Sequence, residues 1–83
     1  PRLHAFKPEL VLISAGFDAH RLDDLGQMGL VEADYAWMTS QLMAIADQYA
    51  QRRLVSCLEG GYNLQALATS VEAHLRVLAG LDA

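Results

Sequence analysis

Two side chains in this 83-residue sequence have the type and the setting to do chemistry. Asp18 closes the segment Ser14-Ala15-Gly16-Phe17-Asp18, just past a run of apolar residues. A carboxylate at the end of a strand is firmly held, and Zn2+ accepts such oxygens at about 2.0–2.2 Å. Tyr62 follows Gly60-Gly61. Two glycines let the backbone approach a ligand closely, and the phenol can then donate a hydrogen bond. Aimed at a developing oxyanion, such a donor contributes about 2.7–4 kcal/mol. Each residue also has a plainer reading that residue type leaves open. Asp18 could bond loop amides in an Asx turn, and Tyr62 could simply cover the end of a sheet.

The remaining polar residues carry weaker signals. His20 stands two residues after Asp18 and reads either as a second ligand or, equally well, as a loop histidine bonding backbone or a carboxylate. Asp23 and Asp24 could bind a hard cation, but a solvated pair of loop charges is the simpler account. Gly60-Gly61 is no phosphate loop, because the lysine and the required spacing are missing. His4 and His74 fall at surface-like positions. Cys57 lies inside an apolar strand and reads as inert core.

The elements that must position Asp18 and Tyr62 can be read from hydrophobic period. Leu10 to Gly16 is a continuous apolar run after Pro8, the signature of a strand buried on both faces of a parallel sheet. Leu3 and Phe6 before it fit the last turn of a helix ending at Pro8. Residues 17–31 form a long loop, and such loops are often functional. A helix is expected over 32–51, with Tyr35, Met38, Leu42, Ile45 and Tyr49 as its apolar stripe. Glu32 and Asp34 suit its first turn and Arg52 and Arg53 its other end, although Val31 is a poor N-cap. Trp37 falls off the stripe and reads as a cover for neighbouring protein. Leu54 to Glu59 is a second strand. A last helix over 64–79 has Asn63 as N-cap, Leu64, Leu67, Ala68, Val71, Leu75 and Leu78 as its stripe, and Gly80 as its stop. The order β-α-β-α with a right-handed crossover makes the strands parallel. Ligands in open α/β sheets bind beyond the carboxyl ends of the strands. Asp18 and Tyr62 leave those ends, so they should lie roughly 5–10 Å apart, given about 4.8 Å per strand step.

Composition narrows the setting. The chain is 53% hydrophobic and 19% charged, with net charge −4. So much apolar surface in so short a chain implies burial against protein outside it. The six basic residues are scattered, which argues against direct nucleic-acid binding. The single cysteine excludes an internal disulfide and fits a reducing, cytoplasmic compartment. No apolar run approaches the roughly 20 residues that span a bilayer. The opening Pro1-Arg2-Leu3-His4, in mid-pattern and without Met, leads to the expectation of a fragment.

Taken together, Ser14-Ala15-Gly16-Phe17-Asp18-Ala19-His20-Arg21, then Asp23 and Leu25, then Leu58-Glu59-Gly60-Gly61-Tyr62-Asn63-Leu64 resemble the histone deacetylase and acetylpolyamine amidohydrolase family, in its class II branch and bacterial members. The resemblance runs from about Phe6 to Gly80. It implies an arginase-like α/β fold with a mostly parallel sheet, of which residues 1–83 would be a C-terminal fragment of one catalytic domain. It implies zinc as cofactor, with Asp18 as a metal ligand and Tyr62 as the catalytic donor to the acetyl carbonyl and its oxyanion. Gly60, Gly61, Leu25 and Phe17 would line the substrate channel. The substrate would be an acetylated amine, acetyl-lysine or an acetylpolyamine. The chain departs from the family's Asp-Asp-Pro-Leu-Gly-Gly loop at Asp23-Asp24-Leu25-Gly26-Gln27. The family's paired histidines and its Asp-x-His ligands have no counterpart here. An isolated fragment should therefore bind zinc weakly, be inactive, and self-associate through open sheet edges and apolar helix faces. The alternative is a non-catalytic α/β interaction module or a degenerate deacetylase-like protein.

Overall fold

The computed structural model describes residues 1–22 and 29–81. Its elements are α1 (Arg2–Phe6), β1 (Val11–Gly16), α2 (Glu32–Tyr49), β2 (Leu54–Gly60) and α3 (Leu64–Leu78). The α/β order expected from the sequence is present. β1 and β2 are adjacent and parallel, in register from Val11 opposite Leu54 to Ala15 opposite Leu58, with an irregularity that sets Gly16 opposite Gly60.

Both long helices cover one face of this sheet. Val11 packs with Ile45, Ala46 and Ala50, while Ala15 and Phe17 pack with Tyr35 and, from α3, Leu67 and Val71. Among the described residues, no helix covers the opposite face: Leu12 is 71% exposed and Val55 49%. The continuous apolar run suggested burial on both faces. Here β1 alternates between covered and exposed residues instead, because this chain provides helices for one side only. Cys57 corrects the expectation of inert core, since it lies on the strand's exposed register.

The helix stripes are also rotated from their expected lines. On α2 the buried residues are Tyr35, Thr39, Ile45 and Ala46, whereas Met38 is exposed. On α3 they are Ala66, Ser70, His74 and Val77, whereas Leu64 and Leu75 are exposed. Small residues at Ala66 and Ser70 let α3 lie close to α2, so the larger aliphatics are turned to its flanks. Trp37 is exposed, beside α1, as expected for a residue off the stripe.

The helix ends follow from local chemistry. Val31 cannot cap α2 with its side chain, but the Asp34 carboxylate accepts the Val31 amide at 2.8 Å and does that work from the first turn. The helix ends at Tyr49, two residues early, because Gln51 and Arg52 take left-handed φ values of 52° and 63°. Arg53 Nε donates to the Ala50 carbonyl at 3.0 Å, so a cation meets the negative end of the helix. Asn63 caps α3 by accepting the Ala66 amide at 2.9 Å, and Gly80 stops it with φ 76°.

His74 is the main correction to the surface reading. It is buried at the meeting point of α2, β2 and α3. Thr39 donates its only hydroxyl hydrogen to the Tyr35 carbonyl at 2.7 Å. Thr39 must therefore accept from His74 Nδ1, 2.8 Å away. The other ring nitrogen, Nε2, then accepts from Ser56 Oγ at 2.8 Å. The imidazole is neutral, with its hydrogen on Nδ1, and Phe17 packs edge-on against it. Burial lowers its pKa below the ordinary 6.5, because desolvation disfavours the charged form. Such a group contributes stability in full above its unfolded pKa, and the contribution is lost as pH falls through the folded value. Urea midpoints should therefore fall as pH is lowered below about 6.5, toward the lowered folded value. His74→Gln should lower the midpoint at pH 7.5 and flatten this dependence. A slope unchanged by the substitution would disprove the assignment.

Candidate functional site

The parallel pairing sends both motif segments off one end of the sheet. Beyond β1 the chain continues through Phe17 and Asp18, and the Phe17 amide donates to the Gly60 carbonyl at 2.9 Å. Beyond β2 it turns at Gly61, whose φ of 131° suits glycine, and passes Tyr62 to the Asn63 cap. The pleat then aims the Asp18 carboxylate back across the strand ends. A Cβ on Gly60 would stand 3.1 Å from Asp18 Oδ1, and one on Gly16 would stand 3.2 Å from it. The two glycines thus form a shelf on which the carboxylate rests, and any larger residue would push it away. Gly61 is confined from the other side, since a Cβ there would meet Leu67 Cδ1 at 2.8 Å and Phe17 Cβ at 3.2 Å.

Among the described residues, no hydrogen bond reaches the Asp18 carboxylate, which is half-buried. The Asx-turn reading therefore fails. The turn is closed by backbone alone, with the His20 amide near the Phe17 carbonyl at 3.4 Å. A half-buried carboxylate with both oxygens uncommitted is chemically suited to a cation. It is one donor only: among the described residues, no three His, Cys, Asp or Glu are grouped to hold a metal. Tyr62, 58% exposed, stands in the turn two residues beyond the glycine against which Asp18 rests. Phe17, expected on the channel wall, is instead core at 3% exposure, with its ring 5.0 Å from Tyr35. It faces the helices because it continues the covered register of β1. Leu25, together with Asp23 and Asp24, lies outside the described residues.

His20 is buried, with 1% of its surface exposed, and both its nitrogens are engaged. Nδ1 accepts the Leu22 amide at 3.1 Å, so the hydrogen sits on Nε2, which donates to Glu32 Oε1 at 3.0 Å. This is the loop histidine of the simpler reading, bonded to backbone and carboxylate, and not a metal ligand. The loop is further tied by Arg21 N to Leu30 O at 2.7 Å and Leu30 N to Ala19 O at 2.9 Å. Asn63 Nδ2 donates to Leu22 O at 2.9 Å and joins the loop to the Tyr62 turn.

Glu32 and Thr69 belong to the site's support and were missed in the sequence. Glu32 looked like a residue serving only the helix dipole. Its second oxygen accepts from Thr69 Oγ1 at 2.6 Å, and Thr69 on α3 carries no sequence signal for this. The Thr69 hydrogen bond, followed by that of His20, lowers the Glu32 pKa from 4.5 to about 2.

The model of the histone deacetylase domain matches residues 1–78, and the chain belongs to that family. It is 47% identical over 81 residues to Type-2 histone deacetylase 1 of Dictyostelium discoideum, covering 98% of this chain and 5% of that protein. Among solved structures, the HDA15 HD domain superposes with a TM-score of 0.83 at 42% identity, covering 93% of this chain and 21% of that one. The histone deacetylase Clr3 superposes with a TM-score of 0.87 at 39% identity, covering 99% and 13%. The fold is the arginase/deacetylase fold, of which this chain spans a small part. Among the described residues, no helix is long and apolar enough to cross a membrane.

The Glu32 network has a pH signature of its own. A carboxylate whose folded pKa is depressed stabilises the fold above its unfolded value, and that contribution disappears as pH falls through the folded one. The stability lost between about pH 4.5 and pH 2 should therefore be smaller in Glu32→Gln than in the parent chain. Denaturant midpoints across that range measure it. Because the carboxylate is 40% exposed, added salt should reduce the difference.

Proposed function

We propose that this chain contributes one zinc ligand, Asp18, and one catalytic hydrogen-bond donor, Tyr62, to a zinc-dependent amidohydrolase of class II type. Its substrate is an acetylated amine, acetyl-lysine or an acetylpolyamine, and its setting is cytoplasmic. The observation that carries this reading is the uncommitted Asp18 carboxylate, resting on Gly16 and Gly60 at the strand ends beside the Gly-Gly-Tyr turn. Two relatives share the whole of this region and bear deacetylase names.

The roles follow from the chemistry of the groups. A bound zinc would supply Lewis-acid polarisation of the acetyl carbonyl and a lowered water pKa. Asp18 is one of the three protein ligands that a catalytic zinc requires. Gly60 and Gly61 line the narrow approach to the acyl group. Tyr62 donates its phenolic hydrogen to the carbonyl oxygen as negative charge develops there, an interaction stronger in the transition state than in the ground state. The remaining ligands and the general base come from the rest of a catalytic domain, of which this chain is the C-terminal part. By itself the chain is inactive and behaves as an α/β module with exposed Leu12, Val55, Trp37 and Leu64.

In the complete domain, Tyr62→Phe should lower kcat by about 10²–10³-fold toward an acetyl-lysine peptide, with zinc content unchanged. Near-normal turnover in that variant would rule out the assignment. The isolated chain should show no acetyl-lysine hydrolysis and no micromolar zinc binding by calorimetry. Light scattering at tens of micromolar should give a mass above that of a monomer. A strictly monomeric mass would count against exposed apolar faces governing its behaviour.

A further inference from the structure

Glu32 bonds two elements that carry different parts of the site, and this arrangement has a functional consequence. One carboxylate oxygen accepts from His20, two residues after Asp18. The other accepts from Thr69 on α3, the helix that begins directly after Tyr62-Asn63. We propose that His20, Glu32 and Thr69 form a clamp that fixes the separation of Asp18 and Tyr62, with Thr69 as a positioning residue for Tyr62 and His20 as one for Asp18. This rests on the proposed reading of Asp18 and Tyr62.

Hydrogen-bond accounting makes the clamp directional. The Leu22 amide occupies His20 Nδ1, so the one imidazole hydrogen is on Nε2 and points at Glu32 Oε1. Thr69 Oγ1 has three acceptors in reach: Glu32 Oε2 at 2.6 Å, Gln65 O at 3.1 Å and Ala66 O at 3.3 Å. Its single hydrogen goes to the closest of them, which is also the charged one. Every member thus has one role that it can fill, and Glu32 sits at the start of α2, where the helix dipole holds an anion. His20 is almost wholly buried, so its ring cannot turn to another partner without moving the loop. The separation of the two arms is therefore set by three side chains on three segments, together with the Asn63 bond to Leu22.

A clamp of this kind acts on the transition state. Misplacing a catalytic donor by about 1 Å can cost around 10²-fold in rate, so loss of one bond that still leaves the Asn63 link should cost less, about tenfold. The test is a double-mutant cycle in the complete zinc-loaded domain. Thr69→Val should lower kcat about tenfold with KM within about twofold, and Thr69→Ser, which keeps the hydroxyl, should restore it. In a Tyr62→Phe background, Thr69→Val should have no further effect, because the group it positions is gone. An equal loss in both backgrounds, or no loss in either, overturns the proposal. Should Tyr62→Phe itself leave the rate intact, the site reading falls first and takes the clamp with it. A second readout needs no activity. In the zinc-free domain, imidazole 15N shifts of His20 should show a protonated Nε2 and a bare Nδ1, and the reverse pattern overturns the proposal.

Discussion

Parallel pairing of β1 with β2 is the constraint on which the rest of the structure depends. Because the strands run the same way, the residues that follow each of them leave from one end. Were the pairing antiparallel, Asp18 and Tyr62 would stand at opposite ends of the sheet, and no loop rearrangement would bring them together. The irregularity between Ala15 and Gly16 adds a second effect. It brings Gly16 and Gly60 opposite each other, so that two residues without side chains lie under the Asp18 carboxylate. The shelf is a property of register and of glycine, and a one-residue slip would put Glu59 in the place of Gly60.

Polar side chains bind the elements to one another where this small core cannot. The buried apolar residues are few and mostly small, and parallel strands gain less per residue than antiparallel ones. His74 joins α3 to α2 through Thr39 and to β2 through Ser56. His20, Glu32 and Thr69 join the loop after β1 to α2 and α3. These bonds are directional, so they specify how the elements sit as well as holding them. The cost falls on titration: one network depends on a neutral imidazole and the other on an ionised carboxylate.

Much of this was legible in the sequence, and the failures on the helix faces share one cause. Element order, parallel pairing, the Asn63 cap and the Gly80 stop all follow from local signals: apolar runs, side-chain caps and glycine. Which face of a helix is buried does not. Apolar periodicity assumes that the largest aliphatics point inward, but helices α2 and α3 approach closely and bury Ala66, Ser70 and Thr39 at their contact. His74 was misread for the same reason, since it shares that face. At the site, Asp18 and Tyr62 were visible because strand ends and a Gly-Gly pair mark them. Glu32 and Thr69 were not, because their meeting depends on how α2 and α3 pack, and they stand 37 residues apart in the chain.

The rotated stripes also explain why an apolar sequence gives so bare a surface. Leu64 is 81% exposed and Leu75 55%, and both belong to the stripe that periodicity would bury. The bare sheet face presents Leu12 and Val55 in the same way. Parallel sheets are stable when both faces are covered, and here the helices of the chain cover one. The chain spans 21% of the HDA15 HD domain with its own fold preserved. The apolar groups that face solvent lie where the described helices leave surface uncovered, while the polar networks hold the site segments. The same division explains how Asp18 and the Gly-Gly-Tyr turn can be fixed within 83 residues although the proposed metal site needs donors from outside them.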